Sequence, residues 1–205
     1  MPARGVYDRE AIHAILDEAL IAHLGFVQDG QPFVIPMLHA RVGDTLYVHG
    51  SSASRAIRTL GAEVPACVTV TLVDGIVLAR SAFHHSMNYR SVVVLGSARL
   101  VEGRGERVRA LEAFSERLIP GRWDEVRPPS AKELKGTRVL AMTLEESSAK
   151  VRTGPPVDDP EDLSYPVWAG VIPINTLAGA PIPDPEHPPR LDASPAVTGW
   201  TPQRR

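Results

Sequence analysis

The chain has 205 residues, a formal charge of −2 and 43% hydrophobic residues, the profile of one globular domain, with or without a tail, that is long enough to bury a real core. The near-neutral balance argues against a nucleic-acid partner, and no apolar run exceeds strand length, which argues against a membrane span. Residues 1–8 lack the apolar stretch of a signal peptide, and a single cysteine, Cys67, cannot close an internal disulfide; a cytoplasmic protein is expected.

In chain order, residues 8–22 predict an amphipathic helix, with Asp8 as N-cap and Ile12, Ile15, Leu16, Ala19 and Leu20 at helical spacing. Strands follow at 24–28, 33–41 and 46–49, separated by the turn dipeptides Asp29-Gly30 and Gly43-Asp44. The period changes at 51–60, where Ser51 or Ser52 can cap a short helix. Residues 66–73 alternate as a strand in which Cys67 reads as a small buried hydrophobe. Asp74-Gly75 then predicts a hairpin turn, with a return strand at 76–81. A strong strand at 91–101 precedes a helix at 105–118, a capped helix at 130–136, and strands at 139–144, 147–152 and 167–174. Strands dominate, so the fold class is mainly β with short helices: an antiparallel, Greek-key-like barrel, closed or partly closed. Beyond residue 177 prolines punctuate the chain. Residues 1–176 therefore form the barrel domain, and 177–205 a proline-rich tail or arm without regular helix or sheet.

Three segments carry chemistry. At 46–55 a strand ends in His49 and Gly50, followed by the hydroxyls of Ser51, Ser52 and Ser54 and by Arg55 at a helix start. Hydroxyls, free backbone N–H groups and a guanidinium suit a phosphate; an ordinary capped helix with a solvated arginine reads the same residues equally well. At 81–91 the adjacent His84 and His85 point in opposite directions if extended, with no recognised ligand spacing nearby, so a polar connection is the simpler reading there. At 150–156 Lys150 and Arg152 share a strand face, and Trp168 later stands beside Ala169-Gly170, either as core or as a stacking surface for a flat ring. There is no GxGxxG, Walker loop, HExxH or GxSxG, which removes support for a Rossmann dehydrogenase or a serine hydrolase.

The run Tyr89-Arg90-Ser91-Val92-Val93-Val94-Leu95-Gly96, with residues 47–55 upstream, resembles the pyridoxamine 5'-phosphate oxidase-like split-barrel flavoproteins, and among them the nitroimidazole-resistance type, over roughly residues 11–151. The resemblance implies an FMN-binding split barrel acting as a homodimer, with the flavin at the subunit interface. It implies that Arg55 and Ser54 contact the FMN phosphate with help from Ser51, that Val48 and His49 lie along the flavin, and that Pro36, Met37 and Leu38 line the isoalloxazine. Tyr89, Arg90 and Ser91 would reach the flavin from the next strand. Trp168, from its place beside Gly170 rather than from the resemblance, is a further candidate for cofactor contact. His49 would be the catalytic residue, able to protonate a reduced product or orient a substrate. Two departures count against vitamin B6 oxidation: Ala56 follows Arg55 where true pyridoxamine-phosphate oxidases carry a basic residue, and the arginine- and histidine-bearing carboxyl-terminal strand is replaced. The expected activity is that of a flavin-dependent oxidoreductase, reducing a small nitroaromatic- or quinone-like compound with NADH or NADPH as donor. The alternative is a non-enzymatic binder of FMN or haem, with His84 and His85 as the haem candidates.

Overall fold

A computed structural model of the chain describes residues 5–186 and 192–202. Helix α1 (Arg9–Glu18) starts where the sequence predicts: the Asp8 side chain accepts from the Ala11 N–H at 2.9 Å, and Ile12, Ile15 and Leu16 are buried. It stops sooner than expected. Ala19 is already extended, and residues expected to be helical belong to strand β2 (Ile21–Gln28), because Ala22, Leu24 and Phe26 alternate inward. β2 pairs with β3 (Gln31–Val42) around Asp29-Gly30, both at positive φ, and β3 pairs with β4 (Thr45–Ser51). Helix α2 (Arg55–Leu60) is capped by Ser54 rather than by Ser51 or Ser52, and Ser54 makes no side-chain capping bond.

The hairpin expected at Asp74-Gly75 is absent. One long strand, β5 (Pro65–Leu78), runs through it with a bulge between Val73 and Gly75. Two interactions override the local turn preference. Asp74 is held by the Arg90 guanidinium at 2.8 and 3.0 Å, and its carbonyl accepts from the Ile174 N–H. Gly75 lies against the late strand β10 (Gly170–Pro173), so close that a Cβ there would stand 3.0 Å from the Ile172 carbonyl oxygen. The reversal comes instead at a 3-10 turn over Ala82–His84, before β6 (Ser86–Ser97). β7 (Arg99–Leu100) is separated from β6 by Ala98, two residues after Gly96, whose φ is 148°. Helices α3 (Arg104–Leu118), α4 (Arg122–Glu125) and α5 (Ala131–Gly136) lead to β8 (Thr137–Thr143) and β9 (Glu146–Arg152). The tail carries one helical turn, α6 (Pro195–Thr198), tied to α4 by a bond from Ser194 Oγ to Glu125 at 3.0 Å; the sequence predicts no helix there. Pro188 and Pro189 lie outside the described residues.

With β1 (Gly5–Val6), the strands form one antiparallel sheet in the order β1-β9-β6-β5-β2-β3-β4-β8-β7, with β10 on β5. Its two ends do not meet, so the barrel is split. Among the described residues no helix is long and apolar enough to cross a membrane. The inward face packs a continuous core of Ile12, Leu16, Leu24, Leu60, Val68, Val70, Val92, Val94 and Leu140. The outward face divides in two. Over β3, β4 and β8 it is covered by α3, forming a second, smaller core around Ala40, Tyr47, Phe114 and Ala141. Over β2, β5 and β6 it is open, and Ile21, Val27 and Leu95 stand exposed there.

Candidate functional site

Strand alternation sorts the predicted site residues by face. On β3, Met37 packs on the inner core, while Leu38 packs on the outer one and Pro36 is exposed. On β4, Val48 is inside and His49 outside. On β6, Arg90 turns to the inner end of the barrel. Its guanidinium forms ion pairs with Glu18 and Asp74, which hold it charged well above the usual arginine range. Tyr89 and Ser91 have the opposite parity, and Lys150 lies 5.8 Å from the Tyr89 ring centroid. Trp168 is exposed, its ring folded over Gly170, where any Cβ would lie 2.8 Å from the indole. The predicted residues are therefore not gathered in one place: Ser51, Ser54 and Arg55 share the corner after β4, Leu38 and His49 share a cleft, and Tyr89, Arg90, Ser91 and Trp168 lie in neither.

The first place is the corner after β4. Gly50 allows a close approach of strand and helix, since a Cβ there would stand 2.9 Å from Ile57 Cγ1. The Ser51 hydroxyl accepts from the Ala53 N–H at 3.2 Å, and the Ser54 N–H donates to the Ser51 carbonyl at 2.9 Å. Arg55 stacks over Phe33 at 4.5 Å and has no carboxylate partner among the described residues. A pre-positioned, unneutralised guanidinium beside an uncommitted serine hydroxyl fits a phosphate.

The second place is a cleft of about 590 Å³ between the outer sheet face and helices α3 to α5, the usual size for a small-molecule site. Leu38, Leu111, Phe114, Leu118 and Trp123 make its apolar walls. Trp123 is fixed by Glu116, whose carboxylate accepts from the N–H groups of Gly121 and Trp123 at 2.6 and 2.9 Å, satisfying the first turn of α4. His49 enters the cleft edge-on to Phe114, with 4.4 Å between ring centroids. Neither imidazole nitrogen has a hydrogen-bond partner among the described residues, and Nδ1 is fully buried. Burial lowers the His49 pKa, so the ring is neutral with a free lone pair at neutral pH. A buried ring nitrogen without a partner is costly to leave unsatisfied.

The two histidines that the sequence offers for haem are placed differently. His84 faces Asp159 at 3.2 Å, and His85 Nδ1 accepts from the Ala79 N–H at 3.0 Å, both on the surface turn before β6. Cys67 is half-buried on the outward face rather than in the core. The sequence reading missed Trp123, Arg127 and Glu133 in the second place; the capping pattern Ser130…Glu133 was the one legible sign of them.

A family profile described as pyridoxamine 5'-phosphate oxidase matches residues 8–151. A search of curated proteins finds no match. Among solved structures, the flavocytochrome Anf3 from Azotobacter vinelandii is 43% identical with a TM-score of 0.91, over 97% of this chain and 92% of that one. The FAD and haem binding protein from Mycobacterium smegmatis is 37% identical with a TM-score of 0.93, over 97% and 98%. A 5-nitroimidazole antibiotic resistance protein from Bacteroides thetaiotaomicron shares the fold at 23% identity, with a TM-score of 0.61 over 72% and 86%. From the match over most of its length and the split barrel itself, the chain belongs to the pyridoxamine 5'-phosphate oxidase-like family.

Proposed function

We propose that this protein is a flavin-binding redox protein with a second site for haem: the flavin would be held at the Ser51–Arg55 corner, and the haem in the α3–α5 cleft, where His49 would hold it. The observation that carries the second site is the His49 imidazole, half-buried, neutral and without a hydrogen-bond partner among the described residues in the lining of an apolar cleft. That is the state a metal-ligating histidine must hold. The corner supports the flavin through Arg55, whose charge is unmatched by any described carboxylate. Two relatives above 35% identity, matched along nearly their whole length, are a flavocytochrome and an FAD and haem binding protein; on that ground we take the flavin as FAD rather than the expected FMN.

A bound flavin supplies hydride and single-electron transfer, and a bound haem supplies one-electron and oxygen chemistry. The chain's own residues do the positioning. Arg55 and Ser54 hold the phosphate end of the flavin. Phe114, Leu111 and Trp123 exclude water from the cleft, and His49 offers its lone pair there. The haem part of the alternative reading thus moves from His84 and His85 to His49. A nitroaromatic acceptor rests on a likeness that extends to the fold alone. The open face over β2, β5 and β6, with Ile21, Val27 and Leu95 exposed, supports a homodimer with the flavin at its seam, and NADH or NADPH remains the proposed donor.

The test is the mass and absorption spectrum of the cofactors extracted from purified protein, alongside its molar mass in solution. Haem b and FAD together, on a dimer, are expected. A flavin with no haem would remove the second site, and a monomer carrying both cofactors would remove the seam.

A further inference from the structure

The mouth of the His49 cleft holds a single ion pair among its lining residues. Arg127 Nη1 and Nη2 donate to the two carboxylate oxygens of Glu133 at 2.8 and 2.6 Å. Both side chains are exposed, 70% and 48%, and an ion pair in that setting contributes little and exchanges readily. The partners are not equivalent. The Glu133 carboxylate also accepts from the Ser130 N–H at 2.7 Å and completes a capping box on α5, so the helix backbone holds it in place without Arg127. Arg127 has one other bond, to the Pro128 carbonyl at 3.2 Å, and lies between α4 and α5 outside any regular element. Arg127 is the partner free to move.

The interior between this pair and His49 has apolar walls, interrupted by Ser115 and Thr137. A ligand reaching from His49 to the mouth must be apolar along its body and can bear charge only at its outer edge. Haem has that shape, with two propionate carboxylates on one edge. We infer that Arg127 is the carboxylate receptor of this site: it leaves Glu133 and forks onto a haem propionate, while the capping box keeps Glu133 satisfied. The planar five-donor guanidinium matches a carboxylate bidentately, so the residue selects a dianionic porphyrin over a neutral one.

This inference rests on the haem reading of the cleft, and the experiment separates the two. Haem loss from the full-length protein into excess apomyoglobin is followed for wild type, Arg127→Gln and Arg127→Lys, each loaded with haem or with haem dimethyl ester. Arg127→Gln should lose haem about tenfold faster than wild type, Arg127→Lys should fall between them, and the ester should leave wild type and Arg127→Gln at one common rate. Equal haem loss from wild type and Arg127→Gln would overturn the role of Arg127 and leave the haem site standing. Acceleration of both haem and ester by Arg127→Gln would also overturn it, because a merely structural residue would behave that way. A wild-type protein that holds no haem at all would overturn both.

Discussion

The two faces of β4 have opposite fates. Leu46 and Val48 point into a core that Ile12, Leu16, Ile57, Leu60, Val70 and Leu140 fill without a break. Tyr47 and His49 point outward into a thinner layer, where the strands present Ala40 and Ala141 and the covering helix presents Ala110 beside Phe114. Small side chains on both sides keep helix and sheet close at one end, and the chain departs from the sheet at the other. The gap between is the cleft. The same alternation that builds the barrel thus builds the site; what differs is whether the opposing layer supplies enough volume to close the space. On the inner face the apolar side chains fill a continuous core, and on the outer face the His49 imidazole has no hydrogen-bond partner among the described residues.

Substitutions on the two faces should therefore behave differently. The largest effect is expected from Leu60→Ala, which opens a hole in the filled core and should cost about 2–5 kcal/mol by urea or thermal unfolding. Leu118→Ala, on the half-exposed wall of the cleft, should cost under about 1 kcal/mol. Equal losses would erase the distinction between the two cores. Next comes Gly50→Ala. Its Cβ would meet Ile57 at 2.9 Å, and the overpacking should cost about 1–3 kcal/mol and shift α2, with weaker flavin binding as the second readout. Glu18→Gln should cost about 1–3 kcal/mol, because Glu18 is nearly buried and bonds Arg90 bidentately at 2.5 and 2.8 Å; the loss should shrink in an Arg90→Met background if the ion pair is its source.

The smallest and most gradual effect is with pH. Burial lowers the pKa of both His39 and His49 below the ordinary 6.5, against a smaller upward pull on His39 from its bond to the Leu16 carbonyl. The folded protein therefore binds fewer protons than the unfolded chain once pH drops under 6.5. Stability is complete above that value and is lost progressively as pH falls toward the lowered folded-state values. His39→Gln should flatten part of that slope. A urea midpoint unchanged between pH 7.5 and 5.5 would contradict the lowered pKa of the two rings.

Much of the barrel is legible in the sequence because its signals are local. The Asp8 cap, the alternation through 66–73 and 91–95, and the Ser130 capping box each announce an element within a few residues. The misreadings arise where a distant partner outvotes a local preference. Asp74-Gly75 has turn composition, yet Arg90 and β10 hold it extended. Residues 19–22 continue a helical apolar spacing, yet Ala19 is already extended and pairing of β2 with β3 draws Ile21 and Ala22 into the sheet. The corner at 51–55 was readable because it is contiguous. The cleft was not, because Leu38, His49, Phe114, Trp123 and Arg127 come from four elements and a loop that only the folded chain assembles. The resemblance singled out His49, but its free lone pair is a property of the packing around it.

The account turns on the corner and the cleft being separate sites on one chain. The direct measurement is the absorption spectrum of wild type beside His49→Ala and Arg55→Ala, each purified identically. His49→Ala should lose the Soret band and keep the flavin bands, whereas Arg55→Ala should lose flavin and keep haem. A His49→Ala protein that retains a wild-type Soret band, or a pair of variants that lose both chromophores together, would contradict the account.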